Sequence, residues 1–325
     1  MASPTLSADA VKGRSLTQDA FRRFFKNPTG ILGLTIIVFF VLVSVLAPVL
    51  RSDDPLKSNL RARQLPPTWT MTPEERLEED VGLLTYPFGT DSQGRDILVR
   101  VMYGGRISLR AGLLAVALSV FVGVLMGVVA GYFGGWLDTL IVWFVDILLA
   151  FPGILLAIAF VSALGAGTLE MKIPFIPLTL YLSNIEKALI AISITQIPIF
   201  TRITRSSVIG LREAEFVAAA KGLGADSPRI MFSHIFPNGL SPIMVQLTLS
   251  IGTAILDMAA LGFLGLGAQP PTPEWGAMIS DGFGRFRQAP WMSLFPGLGI
   301  FFSVIGFNLL GDAVRDVLDP RLKNA

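Results

Sequence analysis

Residues 30–50 read GILGLTIIVFFVLVSVLAPVL, 21 positions with no charged side chain. The hydrocarbon core of a bilayer is crossed by about 20 mostly apolar helical residues. A run of this length and composition predicts a membrane-spanning helix. Five further stretches of similar character follow. Ile107–Gly131 has Arg110 near one end, and Trp136–Leu164 holds Asp138 and Asp146, with a kink expected at Pro152. Lys187–Leu211 contains Pro198 and ends near Arg202 and Arg205; Gly239–Ala268 holds Asp257; Trp291–Gly311 is free of charge. The expected fold is an all-α polytopic membrane protein of six transmembrane helices, at residues 30–50, 107–131, 136–164, 187–211, 239–268 and 291–311.

The composition of the 325 residues agrees with this. They are 52% hydrophobic and only 15% charged, where a soluble domain carries about 25% charged residues. Mean hydropathy is +0.63. A formal net charge of +2 gives no clustered basic face, so no nucleic-acid partner is expected. With no cysteine, thiolate metal sites and disulfides are excluded. His234 is the single histidine, which removes paired-histidine metal motifs. No metal site and no catalytic residue are expected. No GxxxxGK[ST] loop occurs, so the chain lacks a phosphate-cradling motif of that type.

Orientation follows basic residues in short flanking segments. Lys12, Arg14, Arg22, Arg23 and Lys26 precede the first span; Arg212, Lys221 and Arg229 follow the fourth; Arg315, Arg321 and Lys323 follow the sixth. An even number of spans puts these segments on one side, expected to be the cytoplasm, with both termini there. Residues 51–106, 165–186 and 269–290 then form extracytoplasmic loops, and residues 1–29, 212–238 and 312–325 are cytoplasmic. The first 29 residues are not read as a cleaved signal, because the apolar run after them is too long. Ser15–Lys26 has the pattern of an amphipathic helix, either lying at the membrane surface or serving as an ordinary lead-in to the first span.

Within the second span Ala111, Ala115, Ser119, Gly123, Gly127 and Gly131 recur at every fourth position. Small residues let membrane helices approach closely; the seam reads either as static packing or as a surface that slides during gating. Asp146 and Asp257 lie within spans, where a carboxylate must face protein or water. They are candidates for a translocation path or for structural hydrogen bonds between helices.

Residues 213–237, EAEFVAAAKGLGADSPRIMFSHIFP, carry the mechanism. Good helix formers run from Glu213 to Lys221, with Glu213 and Glu215 in the first turn, and Gly222 and Gly224 end the helix. Ser227 then fits an N-cap before Pro228, and a second short helix stops before Pro237. Phe216, Ala220 and Leu223 fall on one face of the first helix. Such an apolar knob suits a groove on a partner or packing on the chain's own bundle.

This stretch resembles the EAA-type loop of ABC importer permeases, and its EFVxAA…LGA…HIxPN form resembles the dipeptide, oligopeptide and nickel importers. Here the residues are Glu215-Phe216-Val217 through His234-Ile235-Phe236-Pro237-Asn238, with Ala218 in place of the usual Glu. Phe88-Gly89-Thr90-Asp91 with Gly94-Arg95-Asp96 is similar to that family's FGTDxxGRD motif. Residues 104–109, 131–136, 146–152, 261–276 and 307–320 extend the likeness, which covers roughly Pro28 to Pro320. Its length and its FGTD and FNLLGD blocks resemble the second, C-type, of two paired permeases.

The resemblance implies a type I importer-like bundle in a bacterial cytoplasmic (inner) membrane, binding no cofactor itself. Its partners would be a homologous second permease, one or two ABC ATPase subunits holding ATP and Mg, an extracytoplasmic solute-binding protein, and membrane lipid. Glu215, Phe216, Val217, Ala219, Ala220, Leu223 and Gly224 would form the coupling helix against the ATPase. Asp91, Arg95 and Asp96 would shape an extracytoplasmic gate or binding-protein contact, or a turn held by local hydrogen bonds. Di- and oligopeptides are the leading substrates, ahead of nickel chelates, glutathione and oligosaccharides. The alternative from another class is a transporter driven by an ion gradient through intramembrane carboxylates.

Overall fold

The computed structural model describes residues 21–165, 167–172 and 179–318. The parts of the expected N-terminal amphipathic helix before Phe21, Pro174 and Pro177, and the basic tail residues Arg321 and Lys323 lie outside them. Helix α1, Pro28–Val45, starts because Asn27 caps it: Asn27 Oδ1 accepts from the Thr29 and Gly30 amides at 3.0 and 3.2 Å, with Pro28 at the first helical position. A short helical turn, Ala47–Leu50, continues it.

Helix α2 is Ile97–Phe133, 37 residues. At ~1.5 Å per residue it is about 55 Å long, well beyond the ~30 Å hydrocarbon core. It begins ten residues before the expected span, because Asp96 caps it and Arg100 and Arg106 do not interrupt a helix that has already left the apolar layer.

The third expected span is not continuous. Helices α3, Gly135–Leu149, and α4, Gly153–Ala163, meet at a 91° bend. Pro152 has no amide hydrogen to donate and forces the residue before it out of the helical region. The kink foreseen at this proline is therefore a break. Helix α5, Asn184–Arg212, opens on a capping box of Ser183 and Glu186 and carries Pro198 inside. Helix α6 is Glu215–Gly222. Helices α7, Leu240–Phe263, α8, Trp275–Phe283, and α9, Trp291–Leu318, complete the bundle.

The fold is not purely helical. Leu169–Lys172 (β1) and Thr179–Leu182 (β2) pair antiparallel, Leu169 opposite Leu182, within the link expected between the third and fourth spans. Among the described residues four helices, α1, α2, α7 and α9, are long and apolar enough to cross a membrane, and the bent α3–α4 pair makes a fifth if counted as one. Helix α5 has the length but not the apolarity, since Lys187, Gln196, Arg202 and Arg205 interrupt it.

Helix α5 packs most extensively on α2, and α9 lies against α1, α7 and α8. The α2–α5 contact runs along the small-residue stripe. A Cβ added at Gly123 would sit 2.8 Å from the Ile197 carbonyl oxygen, and one at Gly127 would sit 2.6 Å from that of Thr201. Ser119 and Ser193 stitch the same seam: Ser119 Oγ donates to the Ser193 carbonyl at 3.1 Å, and Ser193 Oγ donates to the Ala115 carbonyl at 3.0 Å.

Candidate functional site

The loop between α5 and α7 holds the residues expected to form the coupling helix. Glu213 ends α5 as its C-cap rather than opening the next helix, and Ala214 is the N-cap of α6. The far end of α6 closes on a Schellman turn. The Gly224 amide donates to the Lys221 carbonyl at 3.0 Å, and the Ala225 amide donates to the Ala220 carbonyl at 3.1 Å. Gly224 sits at φ +82°, a conformation that costs a residue with a Cβ about 1–2 kcal/mol.

Beyond it, Asp226, not Ser227, is the N-cap: its Oδ1 accepts from the Arg229 amide at 3.2 Å. The expected second helix is instead a turn at Ser227–Arg229 followed by a π-helical segment, Ile230–Ile235. The chain then passes through Pro237 in a short helical turn, Phe236–Asn238. A proline costs nothing at that first-turn position, where no amide donor is needed.

The expected knob divides between two faces of α6. Val217 and Ala220 turn into the body of the chain, where Val217 joins Ile230, Met231 and Ile235 in the core. Phe216, Ala219 and Leu223, spaced i, i+3, i+7, face outward with Glu215 and Gly224. Leu223 is 90% exposed and Phe216 40%. A side chain missed in the sequence fixes this loop to the bundle. Tyr132, at the end of α2, donates its hydroxyl to Ser227 Oγ at 3.2 Å, and the Lys221 ammonium lies over its ring at 5.9 Å. Arg212 Nη1 donates to the Gly131 carbonyl at 3.4 Å. Tyr132 lies within residues 131–136, part of the stretch that resembles the family, which was its only signal.

At the α2 N-terminus, Asp91 and Arg95 are buried and bonded to each other. Arg95 Nε lies 2.6 Å from Asp91 Oδ2, and Arg100 Nε lies 3.4 Å from the same oxygen. Asp91 Oδ1 accepts from the Gln93 and Arg95 amides at 2.8 and 3.0 Å. Arg95 Nη2 reaches Asp281 of α8 at 3.7 Å, while its Nη1 is buried with no partner. Asp281 has its pKa raised by burial, against the pull of Arg95 and Arg100. A small cleft lined by Asp91, Ile97, Arg100, Met278, Asp281 and Met292 lies here.

Asp96 does a different job. Its Oδ1 caps α2, accepting from the Leu98 and Val99 amides at 2.8 and 3.3 Å, and Arg51 Nη2 lies 3.6 Å from Oδ2. Burial pushes its pKa up to about 6, against those hydrogen bonds and Arg51. The preceding segment wraps this motif. Thr90 Oγ1 donates to the Ala62 carbonyl at 2.5 Å, and the Leu65 amide donates to Thr90 Oγ1 at 2.8 Å. Phe88 stacks on Phe295 of α9 with centroids 4.0 Å apart. Nearby, Glu274 is fully buried as the N-cap of α8, accepting from Gly276, Ala277 and Ser108, and burial raises its pKa.

The carboxylates within the expected spans are not equivalent. Asp146 of α3 pairs with Arg202 of α5 at 2.6 Å, both half exposed. A second pair, which the sequence reading did not anticipate, joins the same helices: Asp138 receives Arg205 Nε at 2.5 Å and Nη2 at 2.7 Å. Asp257 of α7 has no hydrogen-bond or salt-bridge partner among the described residues. Also unpartnered is the amide of Gln196 on α5, buried with both Nε2 and Oε1 free.

Comparison with known proteins adds the context. Residues 123–324 match the family described as binding-protein-dependent transport system inner membrane component. Residues 15–67 match the N-terminal TM domain of oligopeptide transport permease C. The dipeptide transport system permease protein DppC of Alkalihalophilus pseudofirmus is 46% identical over 307 residues, covering 94% of this chain and 90% of that one. Its namesake in Haemophilus influenzae is 40% identical over 306 residues, 94% and 95% of the two chains. The glutathione transport system permease protein GsiD of Escherichia coli is 46% identical over 240 residues, 74% of each.

Proposed function

The chain belongs to the family of binding-protein-dependent transport system inner membrane components, and from that premise we propose how it is powered and what it carries. It is a multi-pass permease subunit of an ABC importer and performs no covalent chemistry. We assign it to the bacterial inner membrane with six spans, α1, α2, the α3–α4 pair, α5, α7 and α9, and with both termini in the cytoplasm. It forms half of a channel with a homologous second permease. A solute-binding protein delivers substrate from outside, and one or two ATPase subunits hold ATP and Mg. The solutes are short peptides, the reading supported by relatives named as dipeptide permeases over 94% of the chain.

Energy enters through α6. The observation that carries this reading is the outward stripe of Phe216, Ala219 and Leu223 on a helix whose other face is anchored by Val217 and Ala220. A 90% exposed leucine at the tip of a short surface helix leaves apolar area in water that a partner's groove would remove. Glu215 and Gly224 border the stripe; Gly224 sets the turn that presents it. Because Tyr132 ties this loop to the end of α2, and Arg212 ties the end of α5 to the same place, a push on α6 moves the α2–α5 unit as a rigid body. Substrate moves because the two states of the bundle differ in affinity for it. Asp91 and Arg95 hold the opposite mouth in shape, and Asp96 fixes the start of α2 there.

Affinity purification through a tagged ATPase tests the coupling. Leu223→Asp and Phe216→Asp each abolish recovery of this chain with the ATPase while its level in the membrane stays normal. Undiminished recovery of both variants overturns the docking role of α6.

A further inference from the structure

Of the three aspartates inside the expected spans, Asp138, Asp146 and Asp257, the described residues leave only Asp257 without a partner; Asp138 and Asp146 are each engaged by an arginine. A carboxylate at that depth must face protein or water, not lipid. At about 100° per residue, Gln246, Thr253 and Asp257 fall within roughly 40° of one another on α7. They span about 16 Å along its axis. Thr253 is exposed, and Gln246 and Asp257 are half-buried. An amide, a hydroxyl and a free carboxylate therefore share one open face of α7.

The supply of charge on this face is one-sided: among the described residues it offers an anion and neutral dipoles and no paired cation. Short peptides carry a free ammonium at one end. The dipeptides and the glutathione named for the relatives share that group. We propose that Asp257 is the site at which the free amino group of a peptide in transit is received, with Thr253 and Gln246 on the same face contacting its amide backbone. This rests on the reading of the chain as a peptide permease and specifies which end of the substrate it recognises. The carboxylate supplies a charge-assisted hydrogen bond in the place of the water the ammonium loses on leaving solution.

A strain lacking this chain, complemented with wild type, Asp257→Asn or Asp257→Glu, tests the assignment by uptake of radiolabelled dialanine. Asp257→Asn lowers maximal uptake roughly tenfold or more, the size expected of one charge-assisted hydrogen bond, while Asp257→Glu retains most of it. The chain has no native cysteine, so a single Asp257→Cys variant provides a second readout. Dialanine should slow its labelling by a cationic methanethiosulfonate in membranes containing the whole transporter. Wild-type uptake with Asp257→Asn unimpaired overturns this inference alone, and so does cysteine labelling indifferent to dialanine. Equal loss in Asp257→Asn and Asp257→Glu, with less inserted chain, assigns the carboxylate a structural role and also overturns it. No dialanine uptake by the wild type instead refutes the peptide reading on which it rests.

Discussion

Gly127→Ala separates a close helix seam from a tolerant one. An alanine Cβ at this position would lie 2.6 Å from the Thr201 carbonyl oxygen and 2.6 Å from Thr204 Cβ. Ordinary carbon contacts begin near 3.5 Å, so α2 and α5 would have to part by several tenths of an ångström or more. The nearest obstruction is backbone, which cannot rotate away. Overpacking of this kind costs about 1–3 kcal/mol, against which alanine regains roughly 1 kcal/mol of helix propensity over glycine. Strain at the upper end of that range leaves a net loss of about 1–2 kcal/mol. Gly210, on α5, has nothing within 4 Å of an added Cβ. There only the propensity gain applies, and Gly210→Ala should stabilise by up to about 1 kcal/mol. Thermal unfolding of the detergent-solubilised chain ranks the three: Gly210→Ala at or above wild type, and Gly127→Ala clearly below. Gly127→Ala unfolding at or above the wild-type temperature would refute the account of α2–α5 packing. It would mean that the two helices slide apart freely enough to admit a methyl group.

The ion pairs between α3 and α5 should differ in worth. Asp138→Asn breaks a bidentate contact whose partners are one-third exposed or less, and should cost about 1–3 kcal/mol. Asp146→Asn breaks an exposed single contact and should cost under about 1 kcal/mol; unfolding midpoints falling in the reverse order would contradict this. Asp96 gives a pH signature. Its folded pKa of about 6 lies above the ordinary 3.8, so the folded state binds the proton more tightly. The penalty is fully present above pH 6 and is relieved as pH falls from about 6 towards 4. Asp96→Asn keeps the cap and removes the ionisable group. It should be more stable than wild type at pH 7.5, with that advantage shrinking by pH 4.5; an advantage constant across this interval would count against a buried, proton-favouring Asp96.

What the sequence made legible was whatever depends on neighbours along the chain. The charge-free run at residues 30–50 marks α1 because burial of apolar helix in lipid needs no knowledge of the rest of the fold. The stripe from Ala111 to Gly131 marked a close helix approach for the same local reason, since only small side chains at every fourth position permit it, but not that its partner is α5. Even the early start of α2 had a local signal, since Asp96 before Ile97-Leu98-Val99 reads as a cap. What stayed hidden depends on distant partners. Asp138 and Arg205 are 67 positions apart, and no spacing rule joins them; the pairing exists because α3 turns back along α5 before the chain breaks at Pro152. The division of α6 into an anchored and an open face has the same origin. Phe216 and Val217 are adjacent apolar residues with comparable claims to burial. Val217 is inside because Ile230, Met231 and Ile235, presented by a π-helical turn that no propensity anticipates, occupy that side. Once they do, Leu223 is left 90% exposed and Phe216 40%, and the outward stripe proposed to dock on the ATPase follows from packing elsewhere in the loop.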